Sequence, residues 1–451
     1  MNTTIRIHPD PSAAPDGITL DTTQHSLLTG GSSAAKAALF QELAKSVSSS
    51  GIPVFLADCR SSCSGLALTH PVTFWDLEAK KGLPLRTTVS ELGPLFLARI
   101  LGLNDLQGEL MEIFFQIADK NGLLLIDTKD LKALIGFIDE HASEYAKEYG
   151  NISKQSTSAI LRKIVSLEGR GAQDFLFEPA IDVRDFLTKE ESGAGRIHIF
   201  EAKSCVGESM LYTTFLLYLL SELNENLPEA AAGDAPQLVF VFDESALLFD
   251  DASRSFLNKI EQLLEGLTEK GVTVFFAADK ASDIPESISG LLTGRIEVPA
   301  DADAVDKASL SDGERTALIE ADPLYEKYKI PFDRDSAYEF LLRRGVEETE
   351  AAAAADAAAA AESDAAESDT TAADAGEDTK EKKSLLESID KEAMAKQAKS
   401  SAQSLGTTTA GTIGRKIGKT VGSAFGDFGE TLGGNIGASL GRGIMNTLFK
   451  A

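Results

Sequence analysis

The sequence predicts an α/β domain built on a mainly parallel sheet that is covered by helices. Two observations support this prediction: short apolar runs alternate with amphipathic stretches up to about residue 300, and the runs are rich in β-branched residues. Nearly continuous apolar runs are typical of parallel strands, because both faces of a parallel sheet are buried. The four clearest runs are residues 51–59, 195–202, 237–245 and 271–279.

Helical periodicity occurs between and beside these runs. It is clearest in residues 34–48, 210–223 and 253–269. The pattern between about residues 92 and 187 is mostly helical as well. We therefore expect a helical insertion within the α/β core.

Composition divides the chain into four parts. We expect residues 1–300 to form the core and residues 301–345 to form a short helical remnant of its C-terminal end. Residues 346–380 are acidic, Ala-rich and of low complexity, which is typical of a disordered or partly helical linker. Residues 381–451 form a tail in which Gly and apolar residues both recur at intervals of about four.

The Gly-rich tail predicts a helix that needs a partner surface. A row of small residues lets a second helix approach closely, but each Gly costs about 1 kcal/mol of helix stability relative to Ala. Residues 411–449 are therefore expected to be helical when they self-associate, dock on a partner or lie on a membrane surface. A flexible tail without a partner is the alternative.

The net charge of −27 is unevenly distributed. The linker carries −10 and the tail +4, which leaves −21 for residues 1–345. An acidic surface repels phosphate backbones, so nucleic-acid binding over the surface of the core is not expected. A local basic channel stays open as an alternative.

Three cysteines are too few for a disulfide framework, which favours a reducing compartment. Cys59 and Cys63, with His70 nearby, do not complete the four ligands of a structural zinc site. The first residues lack the apolar core of a signal peptide, and no apolar run reaches the roughly 18 residues that span a bilayer. We therefore expect a cytoplasmic protein without structural zinc.

Residues 27–43 have the order of a phosphate-binding loop: a short strand, a Gly-rich turn and a helix. The pattern for such a loop is G-x-x-x-x-G-K-[ST]. In the segment GGSSAAKA, Gly30 and Lys36 match, and Gly31 extends the turn. Ala35 replaces the second glycine and Ala37 replaces the hydroxyl residue. These five positions are the candidate, but degenerate, nucleotide-binding residues.

The segment QLVFVFDESALLFD over residues 237–250 gives a second signal. An apolar strand that ends in Asp243-Glu244 is typical of a Walker B element, in which the Asp holds Mg²⁺ and the Glu orients the attacking water. A strand that is simply followed by a solvated acidic turn is the alternative. The loop some 200 residues earlier favours the nucleotide-binding fold.

The chain resembles the HerA/FtsK-type P-loop ATPases, specifically the bacterial YjgR-like proteins with a HerA-like helicase domain. Several long segments match, and they occur in the same order as in that family. The matching segments include SLLTGGSSAAKAALFQELA, GIPVFLADCRSSCSGLA, YGNISKQSTSAILRKI, LVFVFDESALLFDDA and SDIPESISGLLTGRIE. The resemblance implies a RecA-like P-loop NTPase core, ATP and Mg²⁺ as ligands, a ring-shaped oligomer and a DNA-translocating, helicase-type activity.

This chain departs from the family at the nucleotide site. Ala35 places a Cβ where close phosphate approach favours Gly, and Ala37 lacks the hydroxyl that would bind Mg²⁺. The family's D-V-K-G-D is DCRSS over residues 58–62. The sensor strand of the family ends near Thr-Gln, whereas here Asp279 holds the second of these positions. After Arg295 the family's basic stretch is replaced by the acidic VPADADAVDKASL.

These departures favour a non-catalytic pseudo-ATPase that serves as a scaffold or regulatory partner. No cofactor is then required, and ATP with Mg²⁺ would bind only if the site still functions. The expected partner is a protein, either an active paralogue or further copies of this chain in a ring. One alternative is a weak ATP-dependent DNA translocase, favoured by the retained Lys36, Asp243 and Glu244. Another is an assembly or membrane-peripheral protein that acts through its tail.

Overall fold

The computed structural model describes residues 4–7, 18–231, 234–250, 252, 254–298 and 310–344. The predicted linker and Gly-rich tail lie outside the described residues, and so do the tail's expected contacts with partners or membranes.

The described chain contains two sheets. A short antiparallel pair consists of β1 (Thr4–Ile7) and β2 (Ile18–Asp21). The main sheet has eight strands, and all of its neighbouring pairs are parallel. Its members are β3 (Ser26–Gly30), β4 (Val54–Asp58), β5 (Val72–Asp76), β6 (Leu83–Pro84), β7 (Ile197–Glu201), β8 (Leu238–Phe242), β9 (Val272–Ala277) and β10 (Gly294–Val298).

The α-helices lie between and after these strands. Their bounds are α1 (Ser33–Ser49), α2 (Val89–Ile100), α3 (Asp105–Asn121), α4 (Thr128–Glu140), α5 (Ala142–Tyr149), α6 (Lys154–Glu168), α7 (Ala172–Phe175), α8 (Ser209–Asn226), α9 (Arg254–Glu269), α10 (Glu286–Leu291), α11 (Asp312–Glu320) and α12 (Tyr325–Tyr328). None of the helices within the described ranges is long and apolar enough to cross a membrane.

The prediction of a parallel α/β fold with a helical insertion is confirmed. The four clearest apolar runs contain β4, β7, β8 and β9, and helices α2 to α7 lie between β6 and β7. The strand order is β10-β3-β9-β8-β4-β7-β5-β6. The chain therefore crosses from β3 through α1 to β4, and β8 and β9 later fill the gap between these two strands.

Alternating side chains of each strand build a hydrophobic core on each face of the sheet. In β4, Phe55 packs into the core beneath the helical insertion, whereas Val54 and Leu56 pack into the core beneath α1. Phe55 stacks on Phe240 of β8, with ring centroids 4.6 Å apart. The same alternation continues across the central strands and fixes their register. Because these strands are parallel, their carboxyl ends lie at one edge of the sheet.

The segment that contains α11 packs across the sheet near β5 and β7. Arg315 of α11 donates to Glu201 at the end of β7 at 2.7 Å, and its guanidinium lies over the ring of Phe74. Beyond α11, Asp322 accepts hydrogen bonds from Thr73 at 2.6 Å and from Arg196 at 3.2 Å. Charged side chains thus anchor this segment at both ends of the two strands.

The chain passes close to itself at Gly195, just before β7. A Cβ at Gly195 would lie 2.2 Å from the carbonyl carbon of Ile52. We expect Gly195→Ala to lower the free energy of unfolding by about 1–3 kcal/mol, because the backbone of a packed segment must shift. The measurement is urea denaturation. Gly290→Ala in α10 is the control: a Cβ there meets nothing within 4 Å, so equal losses in the two variants would contradict the prediction.

Candidate nucleotide site at the carboxyl edge of the sheet

The sequence-predicted site residues lie at the carboxyl ends of β3, β9 and β8, which are consecutive in the sheet. Ligand sites of parallel α/β sheets lie at this edge, where the chain direction of the crossovers changes. Gly30 ends β3, Asp243 follows β8 directly, and Asp279 follows β9 after one residue. The fold therefore brings the two predicted halves of the site to one place.

The turn between β3 and α1 is short. Gly30 and Gly31 both have positive φ angles, 78° and 69°. Ser32 caps the helix, and its hydroxyl accepts a hydrogen bond from the backbone N–H of Ala35 at 3.1 Å. Helix α1 begins at Ser33, three residues before Lys36. A Ser cap followed by alanines favours this early start.

The two glycines are required by packing in this turn. Gly30 has a positive φ angle, and a Cβ there would lie 3.3 Å from the carbonyl oxygen of Val298 in β10. A Cβ at Gly31 would lie 2.5 Å from Cγ1 of Val298 in β10. Both glycines therefore have a structural reason that does not involve a phosphate.

Lys36 forms an ion pair with Asp279, in which Nζ contacts Oδ1. The Lys36 side chain is only 3% exposed, whereas that of Asp279 is 76% exposed. The hydrogen bond and charge of Lys36 lower the pKa of Asp279, so this carboxyl is ionised at neutral pH. The ammonium of the predicted phosphate-binding lysine is thus directed at a carboxylate of the predicted sensor position.

Arg60 forms ion pairs with both predicted Walker B acids. One terminal nitrogen contacts Oδ2 of Asp243 and the other contacts Oε1 of Glu244. The second carboxylate oxygen of Asp243 accepts the backbone N–H of Glu244 at 3.0 Å. Glu244 has a φ angle of 51°, a left-handed conformation that non-glycine residues seldom adopt. Both oxygens of Asp243 are therefore engaged by protein groups.

The environment of Asp243 shifts its proton affinity. Burial raises the pKa of Asp243 to about 6, although the positive charge of Arg60 acts in the opposite direction. For Arg60, burial favours the neutral form, but the two carboxylates outweigh this effect and the pKa of the guanidinium is raised. Arginine is in any case charged at every physiological pH. The pairs are therefore ionic at neutral pH.

A tight turn after β4 holds Arg60 in position. The carboxylate of Asp58 accepts the backbone N–H groups of Arg60 at 3.1 Å and Cys63 at 2.7 Å. Ser61 has a φ angle of 52°, at the position where the related motif D-V-K-G-D has Gly. Its hydroxyl donates to Glu201 at 2.8 Å. The turn is thus fixed at both ends, which directs the Arg60 side chain along the sheet edge toward β8.

Tyr212 of α8 supports Asp243 from beneath the edge. Its hydroxyl donates to the backbone carbonyl of Asp243 at 2.5 Å and accepts from the thiol of Cys59 at 3.1 Å. Burial raises the pKa of the Cys59 thiol far above its usual range. Cys59 and Cys63 are both buried free thiols. In the part of the chain that the structure describes, no group of three or more His, Cys, Asp or Glu residues could hold a metal ion.

The structure thus brings Lys36, Asp243, Glu244 and Asp279 together, and it adds Arg60 as a fifth charged residue. Sequence reasoning treated Arg60 only as part of an altered motif. The available signal was its place directly after a strand that ends at the same edge as β8. Ala35 is buried at the start of α1, and Ala37 carries no polar side-chain atom in this region.

The sequence model of the family described as "Helicase HerA-like C-terminal" matches residues 5–70, 67–308 and 298–426. These matches cover most of the chain. Among curated protein sequences, none is significantly similar to it.

Solved structures of similar fold have low sequence identity. The bacterial conjugative coupling protein TrwBdeltaN70, in its unbound monoclinic form, is 15% identical, with 64% of this chain and 74% of that chain covered and a TM-score of 0.43. For TrwB in complex with ADP and Mg²⁺ the values are 14%, 64%, 76% and 0.42. For VirB4 of Thermoanaerobacter pseudethanolicus they are 13%, 70%, 91% and 0.46. Similarity at this level does not bear on the chemistry of the site.

Removal of Arg60 tests the electrostatics of this edge. We expect Arg60→Ala to lower the free energy of unfolding by about 2–4 kcal/mol at pH 8, because it leaves the buried Asp243 carboxylate without its cation. A carboxyl whose pKa is higher in the folded than in the unfolded chain destabilises the fold as pH rises through that pKa. Loss of Arg60 raises the pKa of Asp243 further, so the deficit relative to wild type should shrink between pH 8 and pH 5.

Guanidinium denaturation at the two pH values measures both effects. Lys45→Ala is the control, because Lys45 pairs with Glu42 on the same helix in a partly exposed position, and it should cost less than about 0.5 kcal/mol. A pH-independent loss in Arg60→Ala would show that Asp243 is not the group affected.

Proposed function

Because the chain belongs to the Helicase HerA-like C-terminal family, we propose that it is a non-catalytic member, a pseudo-ATPase that serves as a scaffold or regulatory subunit. The observation that carries this proposal is the mutual pairing of the site's charged side chains: Lys36 with Asp279, and Arg60 with Asp243 and Glu244. Each group that an active member would direct at nucleotide or metal is directed here at another side chain.

The charge of the site argues against tight nucleotide binding. Two cations and three carboxylates give this cluster a net charge of −1 before any ligand arrives. A triphosphate that displaced Asp279 from Lys36 would lie beside the Asp279 carboxylate, and the two negative charges would repel each other. At about 4 Å and the effective dielectric constant near a protein surface, such a repulsion is on the order of 4 kcal/mol per pair of unit charges.

The geometry of the loop supports the same proposal. Phosphate-binding loops surround the phosphates with backbone N–H groups that precede the conserved lysine. Here Ser33, Ala34 and Ala35 belong to the first turn of α1, and the N–H of Ala35 is already bonded to Ser32. The N–H of Lys36 donates to the carbonyl of Ser32 at 2.9 Å. Part of the loop whose backbone N–H groups would surround the phosphates is therefore helical in this chain.

The residues expected for Mg²⁺ do not fit that ion. Ala37 supplies no hydroxyl, and the oxygens of Asp243 are bonded to Arg60 and to a backbone N–H. Our proposal accordingly assigns neither ATP nor Mg²⁺ as a required ligand. The site residues would serve to hold the edge of the sheet in a fixed form.

A scaffold acts through protein contacts, and the proposed partner is an active paralogue or further copies of this chain in a ring. The acidic core makes nucleic acid an unfavourable partner. The buried, unpaired thiols of all three cysteines are compatible with the cytoplasm that we propose as its location. The slow translocase is the second candidate, since Lys36, Asp243 and Glu244 still lie at one edge.

We expect ATP turnover with Mg²⁺ to be absent or about 10²-fold below 1 s⁻¹, which is the lower end of the range typical of enzymes. The reason is that several contacts to the transition state are missing together. Steady-state phosphate release by the full chain, with Lys36→Ala as the matched control, measures this. Turnover near 1 s⁻¹ that Lys36→Ala abolishes would contradict the proposal and favour the translocase.

Reversion provides the complementary test. The variant Ala35→Gly/Ala37→Thr/Asp279→Gln restores the loop glycine, the hydroxyl and the sensor amide, and it also frees Lys36. Calorimetric titration with ATP should show binding that is at least tenfold tighter than in the wild-type chain. Equal affinities in the two proteins would mean that these three positions do not limit nucleotide binding.

A further inference from the structure

Arg60 places one positive charge between the two acids that would hold a divalent cation at this edge. A guanidinium is a planar fork whose two terminal nitrogens suit carboxylate oxygens. In this chain the fork lies between two different carboxylates, with Asp243 on one nitrogen and Glu244 on the other. The positive charge is therefore placed between the two acids that end the β8 segment.

The remaining oxygens of the two buried aspartates at this edge, Asp243 and Asp58, are also engaged. Asp243 is 1% exposed, and its other oxygen accepts a backbone N–H. Asp58, at the end of the neighbouring strand β4, accepts the N–H groups of Arg60 and Cys63 and the hydroxyl of Ser62. A hard cation needs several oxygen ligands and, for Mg²⁺, several retained waters. No such set of free oxygens is present among these groups.

Arg60 cannot leave this position by losing its charge, because arginine stays protonated throughout the physiological range. Its backbone is also fixed, since the turn that carries it is bonded to Asp58 and, through Ser61, to Glu201. A metal ion would bind and dissociate together with a nucleotide, whereas the Arg60 guanidinium is covalently part of the chain.

We infer that Arg60 is a built-in substitute for the divalent cation at the carboxyl edge, so that the edge of the sheet is complete without metal. This inference extends the proposed function. It rests on that proposal because it assumes that the carboxyl edge of the sheet is a former nucleotide site. It adds that the Arg60 guanidinium occupies the oxygens of Asp243 and Glu244 that a divalent cation would need.

The test compares metal responses of the full chain without any nucleotide. Wild-type protein should have the same Tm in EDTA and in about 10 mM Mg²⁺. Arg60→Ala should have a lower Tm in EDTA and recover about 2–5 °C in Mg²⁺, because a ligand that binds the folded state stabilises it by mass action. Titration with Mn²⁺, followed by electron paramagnetic resonance, should show one bound ion in the variant and at least tenfold weaker binding in the wild type.

Two controls identify the site. Arg60→Ala/Asp243→Asn should lose both the Mg²⁺ recovery and the Mn²⁺ binding. Arg315→Ala removes the partner of Glu201 at the same edge, and it should lose stability without gaining a metal response. If Arg60→Ala does not fold, Arg60→Gln keeps hydrogen-bond donors without the charge and is titrated with Mn²⁺ instead.

The inference is overturned if the wild-type chain binds Mn²⁺ as tightly as Arg60→Ala does and Asp243→Asn abolishes that binding, or if folded Arg60 variants gain no Mn²⁺ binding. Either result can occur while ATP turnover remains absent, so failure of this inference is distinguishable from failure of the proposed function. ATP turnover by the wild-type chain, in contrast, would contradict the proposed function.

Discussion

A parallel sheet gathers the ends of its strands at one edge, and in this chain four buried acids lie there: Asp58, Asp76 and Glu201 end their strands, and Asp243 directly follows β8. An unpaired carboxylate in such a place costs several kcal/mol, so each needs a donor or a cation of its own. Asp58 and Asp76 are satisfied mainly by backbone N–H groups of the turns that follow them. The pair of acids after β8 has Arg60.

The ion pairs at this edge also join elements that are distant in sequence. Lys36 and Asp279 join the start of α1 to the end of β9, and Arg60 joins the turn after β4 to the end of β8. Arg315 extends the same principle to α11 and β7. The carboxyl edge of the sheet is therefore held by internal contacts between elements that are distant in sequence.

The four strands that were clearest in the sequence are those whose burial is continuous. β4, β7, β8 and β9 are buried at every position, so their sequences are apolar except for the buried His198 and Thr273 and the acids that end β4 and β7. In β10, by contrast, Arg295 and Glu297 alternate with buried residues, and β6 has only two residues. From the sequence alone, neither β10 nor β6 can be distinguished from a loop, because each is recognised as a strand only by its pairing with a neighbouring strand.

The site was predictable in its positions but not in its contacts. Lys36, Asp243 and Glu244 could be identified from sequence motifs, and Asp279 from the resemblance to the sensor strand of the family. The pairing of Arg60 with acids that lie more than 180 residues later depends on the strand order, which places β4 beside β8. Ser32 and the alanines after it favour an early start of α1. That this start converts part of the loop before Lys36 into helix is seen only in the structure.

The measurement that tests this account most directly is anomalous diffraction from crystals of the wild-type chain soaked in Mn²⁺ with a non-hydrolysable ATP analogue. The account predicts the Arg60 guanidinium between Asp243 and Glu244 and no manganese peak beside either acid. A manganese peak coordinated by Asp243, with Arg60 displaced, would contradict it.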